Sequence, residues 1–355
     1  MAVFDTPDFD DHEHVSFYRD PVSGLHAIIA IHSTAPYGIA GGGCRMWPYE
    51  DDAAALKDAL RLSRAMSYKL ALCGMPAGGA KSVIIGDVRK DKTEALLRAM
   101  GRFVERLGGK YIIAEDVGTT EDDMRIIGKE TRYVVGKKTD TGPPTAYGAF
   151  VGIRAAVEHT LGKKSLSGLR FAIQGLGGVG RRLAMLLKRE GAHLVVADVS
   201  SEAVARVVAD TEAHAVEPDR ILEQRVDVLV PCALGAVLND ASIPKLACKL
   251  IAGAANNQLA EERHADAIAA RGIIFMPDFV LNAGGVIGAS QEGTELGGQS
   301  PASDYDEARA FKEADKIADL VVLAIERAKR ESTTPHVAAV RMAKETIQRL
   351  RESAA

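Results

Sequence analysis

One segment, residues 170–198, limits the possible folds of this 355-residue chain more than any other. It contains the glycine motif Gly175-Leu176-Gly177-Gly178-Val179-Gly180, preceded by the apolar run Phe171–Ile173 and followed by the helical pattern Arg181–Leu186. In a strand–turn–helix unit the first glycine permits a tight turn, the second lets a ligand approach the backbone, and the third lets helix and strand pack closely. The segment therefore predicts the first half of a nucleotide-binding α/β unit.

The residues around this motif indicate which nucleotide it binds. The next strand ends at Asp198, close to the spacing of about 20 residues at which an acid takes the ribose hydroxyls of a dinucleotide. Asp198 is followed by Val-Ser-Ser, without an arginine or lysine that could hold a 2′-phosphate. Amide donors and the dipole at the helix N-terminus favour a pyrophosphate. The sequence thus predicts NAD rather than NADP; the alternative is a tight turn that binds no cofactor.

Strand and helix patterns alternate through the second half of the chain, which indicates a parallel, doubly wound sheet. The strands predicted there are Arg170–Gln174, Leu194–Asp198, Val226–Pro231, Leu250–Gly253 and Ile273–Met276. In the first half, the predicted strands are Val15–Tyr18, His26–Ile31, Ser82–Ile85 and Tyr111–Ala114. Helices are predicted to begin at about Asp51, at about Thr93 and after Thr120, where Asp123 completes a capping box.

The length of the chain suggests two domains. We expect an α/β fold with an N-terminal domain over residues 1–142 and a Rossmann-type dinucleotide-binding domain over residues 143–329, joined at the hinge Lys137–Pro144. The second domain is predicted to open with a helix from about Thr145 and to close with a long helix from about Asp306 to Lys329. A last helix, over about 330–355, begins at Thr334-Pro335, where a cap precedes a proline.

Composition excludes several classes of function. The net charge is −4 without a basic block, which argues against nucleic acid or a membrane surface as a partner. No apolar run approaches the roughly 18 residues of a membrane span, and the acidic first residues do not resemble a signal peptide. The four cysteines lack metal-ligand spacing, so we expect no metal site and a reducing, cytoplasmic location.

Two lysines occupy places that water-facing residues do not usually take. Lys69 continues the apolar stripe of the helix from Asp51, so its ammonium lies on the inward face and needs a partner or a functional reason; the stripe is Ala55, Ala59, Leu62 and Met66. Lys81 heads a strand directly after the loop Pro76–Ala80, whose glycines let a ligand approach the backbone. The alternative is that each lysine snorkels to the surface.

Asp116 is a third candidate, because it follows the predicted strand Tyr111–Ala114. Ligands of α/β sheets bind beyond the carboxyl ends of strands, which is where Asp116 is expected to lie. The competing interpretation is a turn or cap residue, because a helix begins just after it.

These motifs, in this order, resemble those of the Glu/Leu/Phe/Val dehydrogenase family, and within it most of all those of the leucine dehydrogenases. The resemblance covers nearly the whole chain. In addition to the glycine motif it is carried by Gly42–Trp47, Met66–Lys69, Gly78–Lys81, Glu115–Thr119, Thr145–Gly148, Pro231–Gly235, Gly253–Gln258 and Asn282–Gly285.

The resemblance implies a reaction, the reversible NAD-dependent oxidative deamination of an apolar L-amino acid to a 2-oxo acid and ammonia. By this resemblance Lys69 binds the substrate α-carboxylate, Lys81 is the general base that activates water, and Asp116 exchanges protons with the substrate nitrogen. A free lysine titrates near ~10.4, so such a base must have a lowered pKa, which a second ammonium nearby and a dry cleft both favour.

The family's remaining site residues carry over in the same way. Contacts to substrate are implied for Gly41, Gly42, Met66, Ala114, Asn282, Val286 and Ala289. Contacts to cofactor are implied for Thr145, Gly175, Leu176, Gly177, Gly178, Val179, Gly180, Asp198, Cys232, Ala233, Ala254 and Asn257. The family also implies a homo-oligomer, a substrate domain that precedes the dinucleotide domain, a cleft between the two that closes on substrate, and a final helix that returns to the first domain.

Two positions bear on the substrate side chain. Glutamate-specific members of the family hold the distal carboxylate with a lysine and a serine where this chain has Gly41 and Ala289, so glutamate is expected to be a poor substrate. Leucine dehydrogenases carry larger residues, Leu and Val, at these positions. The resemblance therefore favours leucine, whereas the two small residues favour phenylalanine or another large side chain, and both remain open.

Two other classes compete with this interpretation. A 2-hydroxy acid dehydrogenase would need a histidine acid/base beside an arginine clamp, and none of the nine histidines has that context. A non-catalytic NAD-binding paralogue would not need to retain both lysines and Asp116.

Overall fold

The computed structural model describes residues 3–136, 140–233, 235–290 and 306–354. The strands are β1 (His14–Asp20), β2 (Leu25–Ile31), β3 (Ala40–Trp47), β4 (Gly78–Ile85), β5 (Tyr111–Glu115), β6 (Arg170–Gln174), β7 (His193–Ala197), β8 (His214–Ala215), β9 (Val228–Pro231), β10 (Leu250–Ile251) and β11 (Ile274–Phe275). The helices are α1 (Asp52–Leu72), α2 (Glu94–Glu105), α3 (Glu121–Ile127), α4 (Gly142–Leu161), α5 (Gly178–Arg189), α6 (Ser201–Thr211), α7 (His264–Ala270), α8 (Asp278–Leu281), α9 (Gly284–Ser290), α10 (Glu307–Ala314), α11 (Lys316–Glu331) and α12 (Pro335–Ala354).

These elements form two compact units. The first holds the described residues up to Asp140, with Ala289, Ser290 and the residues from Ala343 onward. The second holds the described residues of Thr141–Gly288 and Asp306–Met342. The last helix, α12, is therefore shared: the part after Met342 packs with the first unit, where Lys344 pairs with Asp10 at 3.1 Å.

The first unit is built on a five-stranded sheet with the order β1-β2-β4-β3-β5. β2 pairs antiparallel with β1 and β4, whereas β3 is parallel to both of its neighbours. Helix α2 covers one face, over a core that includes Leu97, Met100 and Tyr111. Helix α1 covers the other face, where Leu56 and Leu60 pack on Ile28 and Val83.

Strand β3 was not among the predicted strands, because its first half, Ala-Gly-Gly-Gly, has no β-propensity. The strand forms because it is inserted between β4 and β5, where the backbones approach so closely that Gly42 has no space for a side chain. A Cβ at Gly42 would lie 1.8 Å from the carbonyl oxygen of Ala80. Burial between two strands thus overrides the local preference of these residues.

The second unit confirms the predicted parallel, doubly wound sheet. Its six strands have the order β11-β10-β9-β6-β7-β8, and every neighbouring pair is parallel. In chain order this is the 3-2-1-4-5-6 arrangement of dinucleotide-binding sheets, with the switch point between β6 and β9. Strand β6 has the predicted bounds; β9, β10 and β11 are shorter than predicted, and the two-residue edge strand β8 was missed.

Several helix boundaries differ from the sequence expectations. Helix α4 begins at Gly142 rather than at Thr145, with Pro143 and Pro144 in its first turn. The end of the predicted hinge is thus helical, while residues 137–139 lie outside the described residues. The predicted helix Asp306–Lys329 is divided at Asp315 into α10 and α11. The capping box is confirmed: Thr120 and Asp123 cap α3 reciprocally.

Among the residues that the structure describes, no helix is both long and apolar enough to cross a membrane.

Candidate active site

The first candidate site lies on the face of the first sheet that α1 covers. Strand alternation puts Gly41, Gly43 and Arg45 of β3 on this face. Gly43 is paired with Ala114 of β5, and a Cβ added to it would lie 3.2 Å from Nζ of Lys81 and 2.8 Å from Cβ of Asp116. The absence of a side chain at Gly43 therefore lets these two charged groups pack against β3 and contact each other.

Lys81 and Asp116 form a buried ion pair. Nζ of Lys81 lies 3.0 Å from Oδ2 of Asp116, and the exposed fractions of the two side chains are 4% and 13%. The same carboxylate oxygen accepts a hydrogen bond of 2.9 Å from Nε of Arg45. Two cations thus share one oxygen, and both predicted catalytic residues are brought together.

The pKa values of Lys81 and Asp116 are both lowered from their usual ranges. Burial lowers the pKa of the Lys81 ammonium, and Arg45 lowers it further, against the opposing effect of Asp116. Burial on its own would raise the pKa of Asp116, but the charges of Lys81 and Arg45 outweigh it and hold that pKa well below its usual range. From the sequence, a second ammonium was expected to help lower the pKa of Lys81. In the structure, the second cation that contacts Asp116 is the guanidinium of Arg45.

Asp116 is also a turn residue, so the two interpretations of it are compatible. Its carbonyl accepts from the amide of Thr119 at 2.9 Å, and its own amide donates to the Thr119 hydroxyl at 3.0 Å. That hydroxyl donates to the carbonyl of Cys44 at 2.8 Å, which ties the turn to β3. Gly118 has φ +82° and leaves no space for a Cβ, which would lie 2.1 Å from the Met46 carbonyl oxygen. The turn after β5 is therefore fixed against the strand that carries Arg45.

Lys69 lies on the inward face of α1, as its place in the apolar stripe predicted. Counted over the whole residue, the exposed fraction of Lys69 is 6% and that of Lys81 is 3%, so neither lysine snorkels to the surface. Helix α1 approaches the sheet closely because β4 has no side chain at Gly79, where a Cβ would lie 2.0 Å from the amide nitrogen of Ser67. Met66, half-buried, precedes this contact on the same helix.

The two glycines that were expected to contact substrate have different surroundings. A Cβ at Gly41 would meet no atom within 4 Å, whereas Gly42 is closed off by Ala80. Ala114, the third small residue predicted at this place, is half-buried. Open space on the α1 face is thus present at Gly41.

The second candidate site is the glycine motif between β6 and α5. Gly175 has φ +93°, a conformation that favours glycine, and a Cβ at Gly180 would lie 2.0 Å from the carbonyl oxygen of Gly175. A Cβ at Gly177 would meet no atom within 4 Å. These surroundings match the three roles expected of the motif: a tight turn, a side left open for a phosphate, and close packing of helix on strand. Gly177 and Gly178 also line a cavity of about 810 Å³ that Arg181 and Arg182 border.

Asp198 lies at the end of β7, beside this turn. Its Oδ2 accepts a hydrogen bond of 2.6 Å from the amide of Leu176, and its Oδ1 accepts one of 2.8 Å from the amide of Ser200. Asp198 is half-buried. Through its hydrogen bond to Leu176 the carboxylate stabilises the glycine-rich turn, whether or not it also contacts a ribose.

Three of the residues predicted to contact cofactor follow the carboxyl ends of strands of the second sheet: Cys232 and Ala233 after β9, and Ala254 after β10. Cys232 follows β9 and donates its amide to Gln174 of β6 at 2.7 Å, and a Cβ at Gly175 would lie 2.8 Å from Ala233. Asn282 is 5% exposed; its Nδ2 donates to the carbonyl of Ala254, and its Oδ1 has no partner among the described residues. A buried acceptor of this kind is what a nearby carboxamide donor would satisfy.

Thr145 lies in the first turn of α4, where its hydroxyl donates to the Thr141 carbonyl at 2.6 Å. Helix α9 packs on this turn through glycine, because a Cβ at Gly284 would lie 2.0 Å from the Pro144 carbonyl oxygen. Asn257 has φ +49° in the loop after β10, and the other predicted residues, Val179, Val286 and Ala289, are half-buried.

Three residues of the first site, Arg45, Tyr49 and Asp58, were not singled out from the sequence. Arg45 also pairs with Asp58 of α1 at 2.8 Å, and the hydroxyl of Tyr49 donates to the same Asp58 oxygen at 2.6 Å. The available signal was strand alternation from Gly41 and Gly43 to Arg45, which became visible only once β3 was recognised as a strand.

Comparison with known proteins gives one consistent result. Residues 12–133 match the model of the Glu/Leu/Phe/Val dehydrogenase dimerisation domain, and residues 196–354 match the model of the Glutamate/Leucine/Phenylalanine/Valine dehydrogenase domain. A leucine dehydrogenase of Bacillus cereus is 47% identical over 99% of this chain and 95% of its own length. A valine dehydrogenase of Streptomyces virginiae is 43% identical over 95% of this chain and 94% of its own. The crystal structure of L-tryptophan dehydrogenase from Nostoc punctiforme superposes with a TM-score of 0.77, at 44% identity over 96% of both chains.

Proposed function

This chain belongs to the Glu/Leu/Phe/Val dehydrogenase family and is an amino acid dehydrogenase, and we propose that it oxidises leucine and related apolar L-amino acids with NAD. The observation that carries the catalytic part of this proposal is the buried contact of 3.0 Å between Lys81 and Asp116, on a strand face where Gly41 leaves open space. The observation that carries the cofactor part is the glycine motif at the switch point of the second sheet.

In the proposed reaction each residue of the first site has a role that its chemistry allows. The Lys69 ammonium binds the substrate α-carboxylate as a point charge. Asp116 takes a proton from the substrate amino group, and Lys81 in its free-base form takes a proton from the water that adds to the resulting imine. Collapse of that adduct gives the 2-oxo acid and ammonia. NAD, when bound, supplies the acceptor for the hydride that leaves Cα.

The surroundings of Lys81 support its role as the base. A lysine at its usual pKa would be almost fully protonated at neutral pH and could not accept a proton. Burial and the nearby guanidinium both favour the neutral amine. The charges of Lys81 and Arg45 keep Asp116 ionised against the opposing effect of burial, so its carboxylate is in the form that can accept a proton.

The cofactor proposal is NAD rather than NADP. Three features fit a dinucleotide: the open side of Gly177, the N-terminus of α5, which has no side-chain cap among the described residues, and the carboxylate of Asp198 directly after β7. The carboxylate disfavours a 2′-phosphate by charge, and the residues that follow it are uncharged until Glu202.

The substrate side chain is the finer part of the proposal. The relatives that support it act, by their names, on leucine, valine and tryptophan, and all cover nearly the whole chain. The free space at Gly41 supports a long or bulky apolar side chain, and the positions available for a distal carboxylate hold Gly41 and Ala289. We therefore place leucine first, with phenylalanine as the second candidate and glutamate as a very poor substrate.

Assembly and location are proposed on more general grounds. The match of residues 12–133 to a dimerisation domain supports a homo-oligomer. None of the four cysteines, all of which lie in the described part of the chain, forms a disulfide, which supports a reducing compartment such as the cytoplasm.

Initial rates of the wild-type protein test the proposal. NADH formation is measured with leucine, phenylalanine, valine and glutamate, and the reverse reaction is measured with 2-oxo acids, with and without ammonium. We expect turnover of leucine and reverse turnover only when ammonium is present. Reverse turnover without ammonium would indicate a 2-hydroxy acid dehydrogenase, NADH binding without any turnover would indicate a non-catalytic paralogue, and a preference for glutamate would refute the side-chain argument.

A further inference from the structure

The ion pair of the first site is the end of a longer chain of charged groups. Oδ2 of Asp116 is contacted by Nζ of Lys81 at 3.0 Å and by Nε of Arg45 at 2.9 Å. Nη1 of Arg45 lies 2.8 Å from Oδ2 of Asp58, and the Tyr49 hydroxyl donates to that same oxygen at 2.6 Å. The guanidinium is therefore fixed from two sides, with one edge on each carboxylate.

The two cations on Asp116 differ in what they can do. Arginine stays protonated in proteins, whereas a buried lysine readily becomes neutral. If Lys81 were the only cation on Asp116, loss of its proton would leave a buried carboxylate without a counterion, which is costly. With Arg45 in place, Asp116 keeps an ion pair whether Lys81 is charged or neutral.

We propose that Arg45, anchored by Asp58 and Tyr49, is a positioning residue that remains on Asp116 as its counterion when Lys81 releases its proton. The proposal rests on the proposed function, because it takes Lys81 to be the base. Arg45 needs no contact with substrate or cofactor for this role. Because Arg45 partly neutralises the charge of Asp116, the carboxylate raises the pKa of Lys81 less than it would alone.

The arrangement leaves the second oxygen of Asp116 for chemistry. Both cations contact Oδ2, and no residue that the structure describes donates a hydrogen bond to Oδ1. Asp58 has the complementary function of keeping the guanidinium in place. Because Asp58 holds Nη1 and is itself fixed by the Tyr49 hydroxyl, Arg45 is restrained from turning towards a bound carboxylate, which is left to Lys69.

The other groups around Lys81 do not replace this effect. Helix α1 brings Asp58 and Lys69 to this face, and β2 places Ala30 opposite Lys81. Strands β3 and β5 contribute the Cys44 thiol and the Tyr111 hydroxyl, which stay neutral. Burial raises the pKa of the Cys44 thiol to about 12 and raises the pKa of the Tyr111 hydroxyl well above its usual value. Burial and the negative charge of Asp58 also raise the pKa of Tyr49, so that it remains a donor to Asp58 at working pH.

The pH dependence of kcat/KM for leucine tests the proposal. In the wild type, the limb that rises with pH reports deprotonation of Lys81. In Arg45→Gln this limb is expected to move to higher pH by about one unit or more, because Asp116 then has Lys81 as its main counterion. The rate at a fixed pH on the limb falls by about tenfold or more, and it approaches the wild-type value at higher pH.

Matched variants separate this effect from a structural one. Arg45→Lys keeps a cation at this position as long as the new lysine is protonated, so it is expected to move the limb less than Arg45→Gln does. Arg98→Gln, which removes an exposed arginine of the same unit, is expected to leave the profile unchanged. The fold of each variant is checked by thermal unfolding and by NADH binding. If Arg45→Gln does not fold, Arg45→Met provides the same loss of charge with a side chain of similar length.

Several results would overturn the proposal: a rate that falls equally at all pH values in Arg45→Gln, a limb that stays in place or moves to lower pH in that variant, or a limb that moves as far in Arg45→Lys as in Arg45→Gln. A wild type without turnover would refute the proposed function instead. The inference is then tested by the pH dependence of trace acetic anhydride labelling at Lys81, which is expected to show the same upward shift in Arg45→Gln, and an unshifted labelling profile would overturn it.

Discussion

Oδ2 of Asp198 accepts a hydrogen bond of 2.6 Å from the backbone amide of Leu176, inside the glycine motif. The acid at the end of the second strand of this sheet therefore also holds the turn that faces the cofactor phosphates. A substitution that removes its oxygen atoms would change both the turn and the charge next to the ribose. Cofactor preference has to be tested with a change that separates these two effects.

Asp198→Asn makes that separation, because an amide keeps an oxygen that can accept from Leu176 but has no charge. We expect the preference of the wild type for NAD over NADP to narrow by about tenfold or more, since the repulsion of a 2′-phosphate is lost. The measurement is kcat/KM for both cofactors at saturating leucine. Asp198→Ser, which is too short to reach Leu176, is expected to weaken the binding of both cofactors as well. An unchanged ratio in Asp198→Asn, or equal use of both cofactors by the wild type, would contradict the assignment.

Gly41→Leu tests whether the open space on β3 receives the substrate side chain. A leucine there would occupy space where an added Cβ meets no atom within 4 Å, so we expect the protein to fold. Efficiency with phenylalanine should fall by roughly 10- to 100-fold relative to valine, the size of effect that a few methylene groups produce in an apolar pocket. Gly41→Ala should give a smaller change in the same direction. If the order of substrates is the same in both variants, the space at Gly41 does not determine specificity.

His32 makes the stability of the protein depend on pH. It is 5% exposed, and burial followed by the nearby His12 lowers its pKa to about 3, against the opposing effect of Asp10. Its pKa in the unfolded chain is ~6.5, so the unfolded state binds a proton first as the pH falls. The free energy of unfolding should therefore decrease below pH ~6.5 by roughly 1 kcal/mol per pH unit, until the pH approaches the folded value.

Urea unfolding between pH 7 and pH 4 measures this dependence. The slope should be shallower in His32→Gln than in the wild type, whereas His26→Gln, which changes an exposed histidine of the preceding strand, should keep the wild-type slope. A slope that is identical in all three proteins would show that His32 does not titrate between the folded and unfolded states.

The parts of the fold that follow from local patterns could be predicted from the sequence. The inward position of Lys69 follows from the periodicity of α1, and the capping box of α3 follows from the spacing of Thr120 and Asp123. The parallel sheet follows from the alternation of strands and helices around the glycine motif. For the α1 stripe and the capping box the signal lies within about 20 residues of sequence, and for the sheet it is a repeat of such local patterns along the second half of the chain.

What could not be predicted depends on contacts between distant segments. Strand β3 exists because β4 and β5 enclose a run of glycines, and without that strand the position of Arg45 next to Asp116 was not accessible from the sequence. The division between α10 and α11 lies at Asp315, whose carboxylate accepts a hydrogen bond of 2.7 Å from Tyr147 of α4. No local pattern in residues 306–331 contains that contact.

Lys69 and Lys81 should be separable by kinetics, although both are buried lysines on facing elements. Lys69→Ala removes a binding charge for the substrate carboxylate, so KM for leucine should rise strongly and kcat should fall as well. The KM for NAD should change little. A variant that loses only thermal stability, with unchanged kinetics, would show that Lys69 has a structural role alone.

The most direct test of the account is the kcat of Lys81→Ala for leucine oxidation, measured on a variant that is shown to fold and to bind NADH like the wild type. If Lys81 is the base that activates water, kcat should fall by at least about 10²- to 10⁴-fold, the contribution that a positioned general base usually makes. A kcat within a few fold of the wild-type value would contradict the central claim, because the buried pair of Lys81 and Asp116 would then not carry the chemistry.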